Sequence, residues 1–128
     1  MAAIENFRSG IWTAIACLTM LATLALTGCK SNWIDAHIDN QTGQPVRELE
    51  VTYPSASFGK DSLAPGAAMS YRFQVRGSGP IQVDYTAVGG KSVHATGLTL
   101  IEHQEGQLTI RLWPEGKVEF LPKLKPAS

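Results

Sequence analysis

The chain has 128 residues, with 11 basic and 11 acidic side chains and no formal net charge. That balance lacks the basic excess or stripe that a phosphate backbone requires, so no nucleic-acid partner is expected. The length allows one folded domain. The two cysteines, Cys17 and Cys29, make no disulfide framework, since Cys17 lies inside an apolar run.

Met1 to Ser9 carries Glu5 and Arg8, and Ile11 to Leu26 follows as sixteen residues without a charge. A membrane-spanning helix needs about 20 apolar residues, so this run suits the apolar region of a secretory signal instead. Thr27 and Gly28 then place small residues just ahead of Cys29. The stretch Leu26-Thr27-Gly28-Cys29 resembles the lipobox of bacterial lipoproteins at every position. The resemblance implies a signal peptide over residues 1–28, with Leu26, Thr27 and Gly28 read by the signal peptidase. It also implies palmitate-type acylation of the Cys29 thiol once the chain is cut before it. One acyl chain binds a bilayer marginally and two or more bind stably, at about 0.8 kcal/mol per buried CH₂. Lys30 fits the sorting rule for transfer to the outer membrane, so the location implied is the bacterial cell envelope, on the outer membrane facing the periplasm rather than the inner membrane. The competing reading is an uncleaved signal anchor with an incidental cysteine.

Residues 29–32 form the tether. Four extended residues reach at most about 14 Å, which holds the domain against the membrane surface. Trp33 then falls near the headgroup level, where tryptophan is favoured; the alternative is that Trp33 packs on the core.

Beyond the tether, residues 33–121 read as one β domain. Apolar and polar residues alternate in Ile34–Ile38, Leu49–Tyr53, Met69–Val75, Ile81–Tyr85, Leu108–Leu112 and Val118–Phe120. Such alternation sets one face on a core and the other in water. Lys91–Ile101 gives a further strand, and a shift of apolar parity across Gly97 predicts a bulge there. Turns are expected at Asn40–Gly43, Ala64–Gly66, Arg76–Gly79, Gly89–Gly90 and Pro114–Gly116. These features predict an all-β fold, a small antiparallel β-sandwich of about seven strands. The segment 122–128, with its prolines and lysines, is expected to be a flexible tail.

Thr42-Gly-Gln-Pro-Val-Arg-Glu-Leu-Glu-Val-Thr-Tyr53 is similar to the opening of transthyretin-like and carboxypeptidase-regulatory-like domains, with Gly43, Pro45 and Val51 in matching places. Leu63-Ala-Pro-Gly-Ala-Ala-Met-Ser-Tyr-Arg-Phe-Gln-Val75 looks like a turn found before strands in immunoglobulin-like domains. Both resemblances imply a sandwich, and neither implies an activity.

The chemistry-bearing residues are sparse. No zinc-type spacing joins His37, His94 and His103. The weak metal candidates are His94 and the group Glu102, His103 and Glu105, set against a plain solvated loop, so no metal and no cofactor is expected. No nucleophile elbow surrounds a serine, and Gly77-Ser-Gly79 lacks the rest of a phosphate loop. Glu48 and Glu50 are expected to face Arg72, Lys91 or Arg111 across strands. Asn40-Gln-Thr42 matches a glycosylation acceptor, which matters only in a eukaryotic secretory pathway. Tyr53, Phe58, Tyr71, Phe73, Tyr85 and Phe120 are assigned to the core.

These features point to a non-enzymatic, membrane-anchored envelope lipoprotein. Its partners are the membrane, through lipid on Cys29, and a protein or envelope component bound by the sandwich, an open edge strand being one means. The alternative is a small-molecule or lipid carrier with a cavity between the sheets, and a third is an enzyme. The sequence does not set the oligomeric state.

Overall fold

The computed structural model describes residues 32–126. The signal segment 1–28, the Leu26–Cys29 motif, the tether up to Ser31 and the last two residues lie outside the described residues. The described chain forms eight strands: β1 (Ile34–Asn40), β2 (Val46–Tyr53), β3 (Ala56–Leu63), β4 (Ala68–Phe73), β5 (Gly79–Thr86), β6 (Ser92–Leu100), β7 (Glu105–Trp113) and β8 (Lys117–Lys125), with a single 3₁₀ turn at Pro114–Gly116. They make two four-stranded sheets, β4-β1-β7-β8 and β3-β2-β5-β6. The all-β sandwich expected from the alternation is therefore present, with eight strands in place of about seven. Every ladder is antiparallel except β1 with β7, which is parallel and registers Ile34 with Gly106.

The inward residues of both sheets meet in one core. Ile34, Ala36 and Ile38 of β1 and Leu108, Ile110 and Leu112 of β7 are fully buried, and face Val51, Ile81 and Val83 of the other sheet, also fully buried. A fully buried aliphatic side chain contributes about 1.5–3 kcal/mol, so these two central strand pairs carry much of the stability. Phe73, Tyr85 and Ile110 are buried as well, so the space between the sheets is filled there by side chains. Of the expected core aromatics, Tyr71 is instead 43% exposed, on edge strand β4. Its ring stacks on Phe58 at 4.4 Å, while Phe73 stacks on Tyr53 at 4.2 Å.

Two bulges adjust the alternation. Between Arg47 and Glu50 the β2–β5 register slips, and Glu48 takes φ +51°. The extra residue lets both Val46 and Leu49 point inward. The β5–β6 register slips between Pro80 and Gln82, opposite the Thr96–Thr99 stretch that contains Gly97, as the parity shift predicted. A methyl group at Gly97 would lie 2.6 Å from the Phe120 ring, so the position is kept bare for that ring.

The segment expected as a tail from residue 122 is a correction. β8 runs to Lys125, pairing Pro122 with Leu108 and Leu124 with Gly106, and Leu124 packs on the core. Proline is tolerated there because β8 is an edge strand.

Strand direction sorts the loops to two ends. Asn32 enters at what we call the base, with the turns at 54–55, 74–78 and 101–104 and the end of β8. The loops 41–45, 64–67, 87–91 and 114–116 gather at the opposite end, the tip.

Candidate functional site

The tip is organised by one side chain. Asn40 is the one buried polar side chain among the described residues, with no exposed surface. A buried amide must be hydrogen-bonded to be tolerated, and this one is saturated. Its Nδ2 donates to the carbonyls of Gln44 at 2.8 Å, Leu63 at 2.9 Å and Ala64 at 3.2 Å. Its Oδ1 accepts from the Thr42 amide at 3.1 Å and the Thr42 hydroxyl at 2.7 Å. The backbone joins in: the Asn40 amide donates to Ala67 O, the Gly66 amide to Asn40 O, and the Gln41 amide to Leu112 O. One asparagine thus ties the 41–45 loop to the 64–67 loop, and the next residue ties it to the end of β7. Buried and fully bonded, its amide is not presented as a glycosylation acceptor.

Against this clamp lies an apolar pocket of about 200 Å³, lined by three loops and the strands that enter them. Pro45 and Val46, Ala87 and Val88, and Trp113 and Pro114 form its walls, with Thr42, Gln44, Tyr85 and Glu115 as polar members. Val88 is 59% exposed and Trp113 37% exposed, an apolar rim open to solvent. The Trp113 indole Nε1 donates to Glu119 on β8 at 3.4 Å. Tyr85 is buried to 3%, and burial raises its phenol above the usual range. No buried side-chain polar atom among the described residues lacks a partner. Tyr85 is one of the residues that line the pocket. Glu115 holds φ +66° and ψ +26°, followed by Gly116 at φ +74°. A left-handed conformation costs a non-glycine residue about 1–2 kcal/mol, and here it sets a carboxylate on the pocket wall. A larger depression of about 330 Å³ adjoins across Pro45, Ala87 and Val88, with Arg47, Thr86, Gly89 and Gly90 as its other lining residues.

The residues singled out from sequence fall elsewhere. Leu26, Thr27, Gly28 and Cys29 lie outside the described residues. His94 sits on the outer face of its sheet, where its Nδ1 meets Asp84 Oδ1 at 2.5 Å, both half exposed. His103 lies 3.8 Å from Glu102 in the β6–β7 turn, and Glu105 pairs with Lys125 at 3.6 Å. The strand register thus keeps His94 apart from Glu102, His103 and Glu105. No group of three or more His, Cys, Asp or Glu residues among the described ones is placed to hold a metal.

The expected ion pairs are also corrected. Arg72 donates through Nε to Asp35 at 2.8 Å, and Arg111 lies 3.8 Å from both Asp39 and Glu119. Glu48 instead accepts from the Thr86 hydroxyl at 3.2 Å. Arg72 and Arg111 belong to one sheet and Glu48 and Glu50 to the other, so those partners never face each other, and Lys91, in the β5–β6 turn, makes no ion pair with either glutamate among the described residues.

No family model matches the chain, and no curated protein matches it. In structure it is similar to a protein from Eubacterium rectale solved by NMR, with a TM-score of 0.53 and 15% identity. The match covers 73% of this chain and 90% of that one. At that identity the likeness shows the fold, a small all-β sandwich.

Proposed function

We propose that the protein is a lipid-anchored envelope lipoprotein whose sandwich is a non-catalytic binding module, with the Trp113 pocket as its binding surface. The observation that carries this reading is the place of the pocket. It opens at the tip, while the chain arrives at the base from the direction of Cys29. An anchor at Cys29 leaves that end free to meet a partner on the periplasmic side. Exposed apolar walls beside a few convergent polar groups are what recognition sites offer. A saturated buried asparagine and a strained Glu115 hold the loops in one arrangement, which lowers the ordering cost of binding. The exposed Asp84–His94 pair lies on an open sheet face outside this pocket, which favours binding over catalysis. The 4+4 strand arrangement supports the transthyretin-like resemblance over a seven-stranded immunoglobulin-like one.

A small-molecule carrier is a second reading, favoured by the buried Tyr85 among the residues that line the pocket. A volume of about 200 Å³ holds one small group. The test is a photoreactive side chain placed at position 88 in intact cells. Capture of one discrete envelope component, lost in Trp113→Ala, is expected. Equal capture from position 57, near the base end of edge strand β3, or capture unchanged in Trp113→Ala, would refute the binding-surface assignment. Cys29→Ala should abolish acyl labelling; an acylated variant would refute the anchor.

A further inference from the structure

Six large apolar side chains are exposed on the described domain: Trp33, Tyr71, Val88, Ile101, Trp113 and Leu121. Val88 and Trp113 belong to the tip pocket. Trp33 and Ile101 belong to the base, where nothing in the proposed binding role uses them. Trp33 is 40% exposed and Ile101 56% exposed, so the packing of Trp33 on the core is incomplete.

The base is built as a firm surface. The Gly106 amide donates to Trp33 O at 3.1 Å, the His103 amide to Val75 O at 3.4 Å, and the Gln104 amide to Ile101 O at 3.2 Å. The Ile101 amide donates to Gln104 Oε1 at 2.8 Å, the Glu102 amide to Ser78 Oγ at 3.4 Å, and the Arg76 amide to Ser55 Oγ at 3.3 Å. These bonds draw the turns between strands into one platform around the apolar pair. Charged groups border it: Lys125 with its partner Glu105, Glu102 beside His103, and Arg76 and Lys123, which have no ion pair among the described residues.

We propose that this base is a bilayer-contacting face, with Trp33 and Ile101 seated in the phospholipid headgroup layer and the tip directed away from the membrane. The inference rests on the lipid-anchor reading of Cys29. The length of chain between anchor and domain points to the bilayer as the occupant. Two residues, Lys30 and Ser31, separate Cys29 from Asn32. Three extended steps span about 11 Å, too little to lift the base clear of the headgroups. Tryptophan prefers that layer because an apolar ring and a polar N–H are satisfied there together. Basic side chains at the border add attraction to anionic lipid while their stems lie along apolar surface.

The test uses the full chain purified from membranes and reconstituted in phosphatidylethanolamine–phosphatidylglycerol vesicles with brominated acyl chains. The processed chain retains two tryptophans, so Trp113→Phe leaves Trp33 as sole reporter and Trp33→Phe leaves Trp113. Intact-mass measurement on the same sample reports acylation and loss of residues 1–28. The expected result is an acylated chain in which Trp33 emission is blue-shifted and quenched by the brominated lipid, while Trp113 emission is not. Ile101→Glu, at an exposed turn, should reduce the quenching of Trp33 without altering the sandwich signal in far-ultraviolet circular dichroism. An acylated chain with Trp33 unquenched overturns the proposal and leaves the anchor standing. A chain that keeps its leader and an unmodified Cys29 overturns the anchor, and this proposal with it.

Discussion

Replacing Asn40 by alanine would take the side-chain donor from the Leu63 carbonyl and the side-chain acceptor from the Thr42 amide, while Gln44 O keeps the Thr42 hydroxyl and Ala64 O keeps the Ala67 amide. Unsatisfied buried groups cost about 1–3 kcal/mol each, with partial relief from water. Asn40→Ala is therefore expected to lose about 2–3 kcal/mol of unfolding free energy in urea, and the Trp113 pocket should lose its shape with it. Asn40→Asp tests the same clamp through pH. A carboxylate facing three carbonyls has its folded pKa pushed above the unfolded value of about 3.9. Its deficit relative to the parent should then be smallest near pH 4 and grow as the pH rises through the folded value. Asp35 behaves oppositely. The Arg72 hydrogen bond, then the Arg72 and His37 charges, outweigh its desolvation and hold its carboxyl below the ordinary 3.8. Its contribution is present above that ordinary value and fades as the pH falls through the lowered one. Arg72→Gln should raise the Asp35 midpoint in an NMR titration; an unchanged midpoint would discount the pairing. Asn40's role was not legible in the sequence, because its partners come from loops that only the folded chain brings together.

At the scale of elements, alternation identified the strands whose inward residues keep an even spacing. It missed β3, whose buried residues Phe58 and Leu63 stand five apart, because the strand follows the distortion of its partner β2. It also could not tell which sheet each strand joins, and so paired Glu48 and Glu50 with arginines of the wrong sheet. Pro122 read as a stop, although proline is accepted on an edge strand. Removing residues 122–128 should accordingly lower the melting temperature and speed amide exchange at Gly106 and Leu108, whose partners are Leu124 and Pro122. Exchange as slow as in the parent would restore the tail reading. Gly97 was legible from its parity shift, and its Phe120 contact was not. Gly97→Ala should cost about 1–3 kcal/mol through overpacking, and that cost should shrink in a Phe120→Ala background, as coupled neighbours require.

For the whole molecule, the ladder joining β1 to β7 connects the first and seventh strands, and β1 with β4 spans the first half of the domain. Such non-local pairing predicts folding in milliseconds to seconds, measurable by stopped-flow fluorescence of Trp33 and Trp113; microsecond refolding would contradict it. The pocket was invisible in the sequence for a related reason. Its walls come from three loops separated by long stretches of chain, and only the sandwich assembles them.

The position of β1 has a mechanical consequence. A pull delivered through Asn32 runs along a strand laddered on both sides, to β4 on one and β7 on the other. The two rows of hydrogen bonds are loaded in shear and share the force at once, instead of unzipping singly from an edge. If the lipid anchor proposed above holds, a chain pulled from that side is gripped at a strand laddered on both flanks.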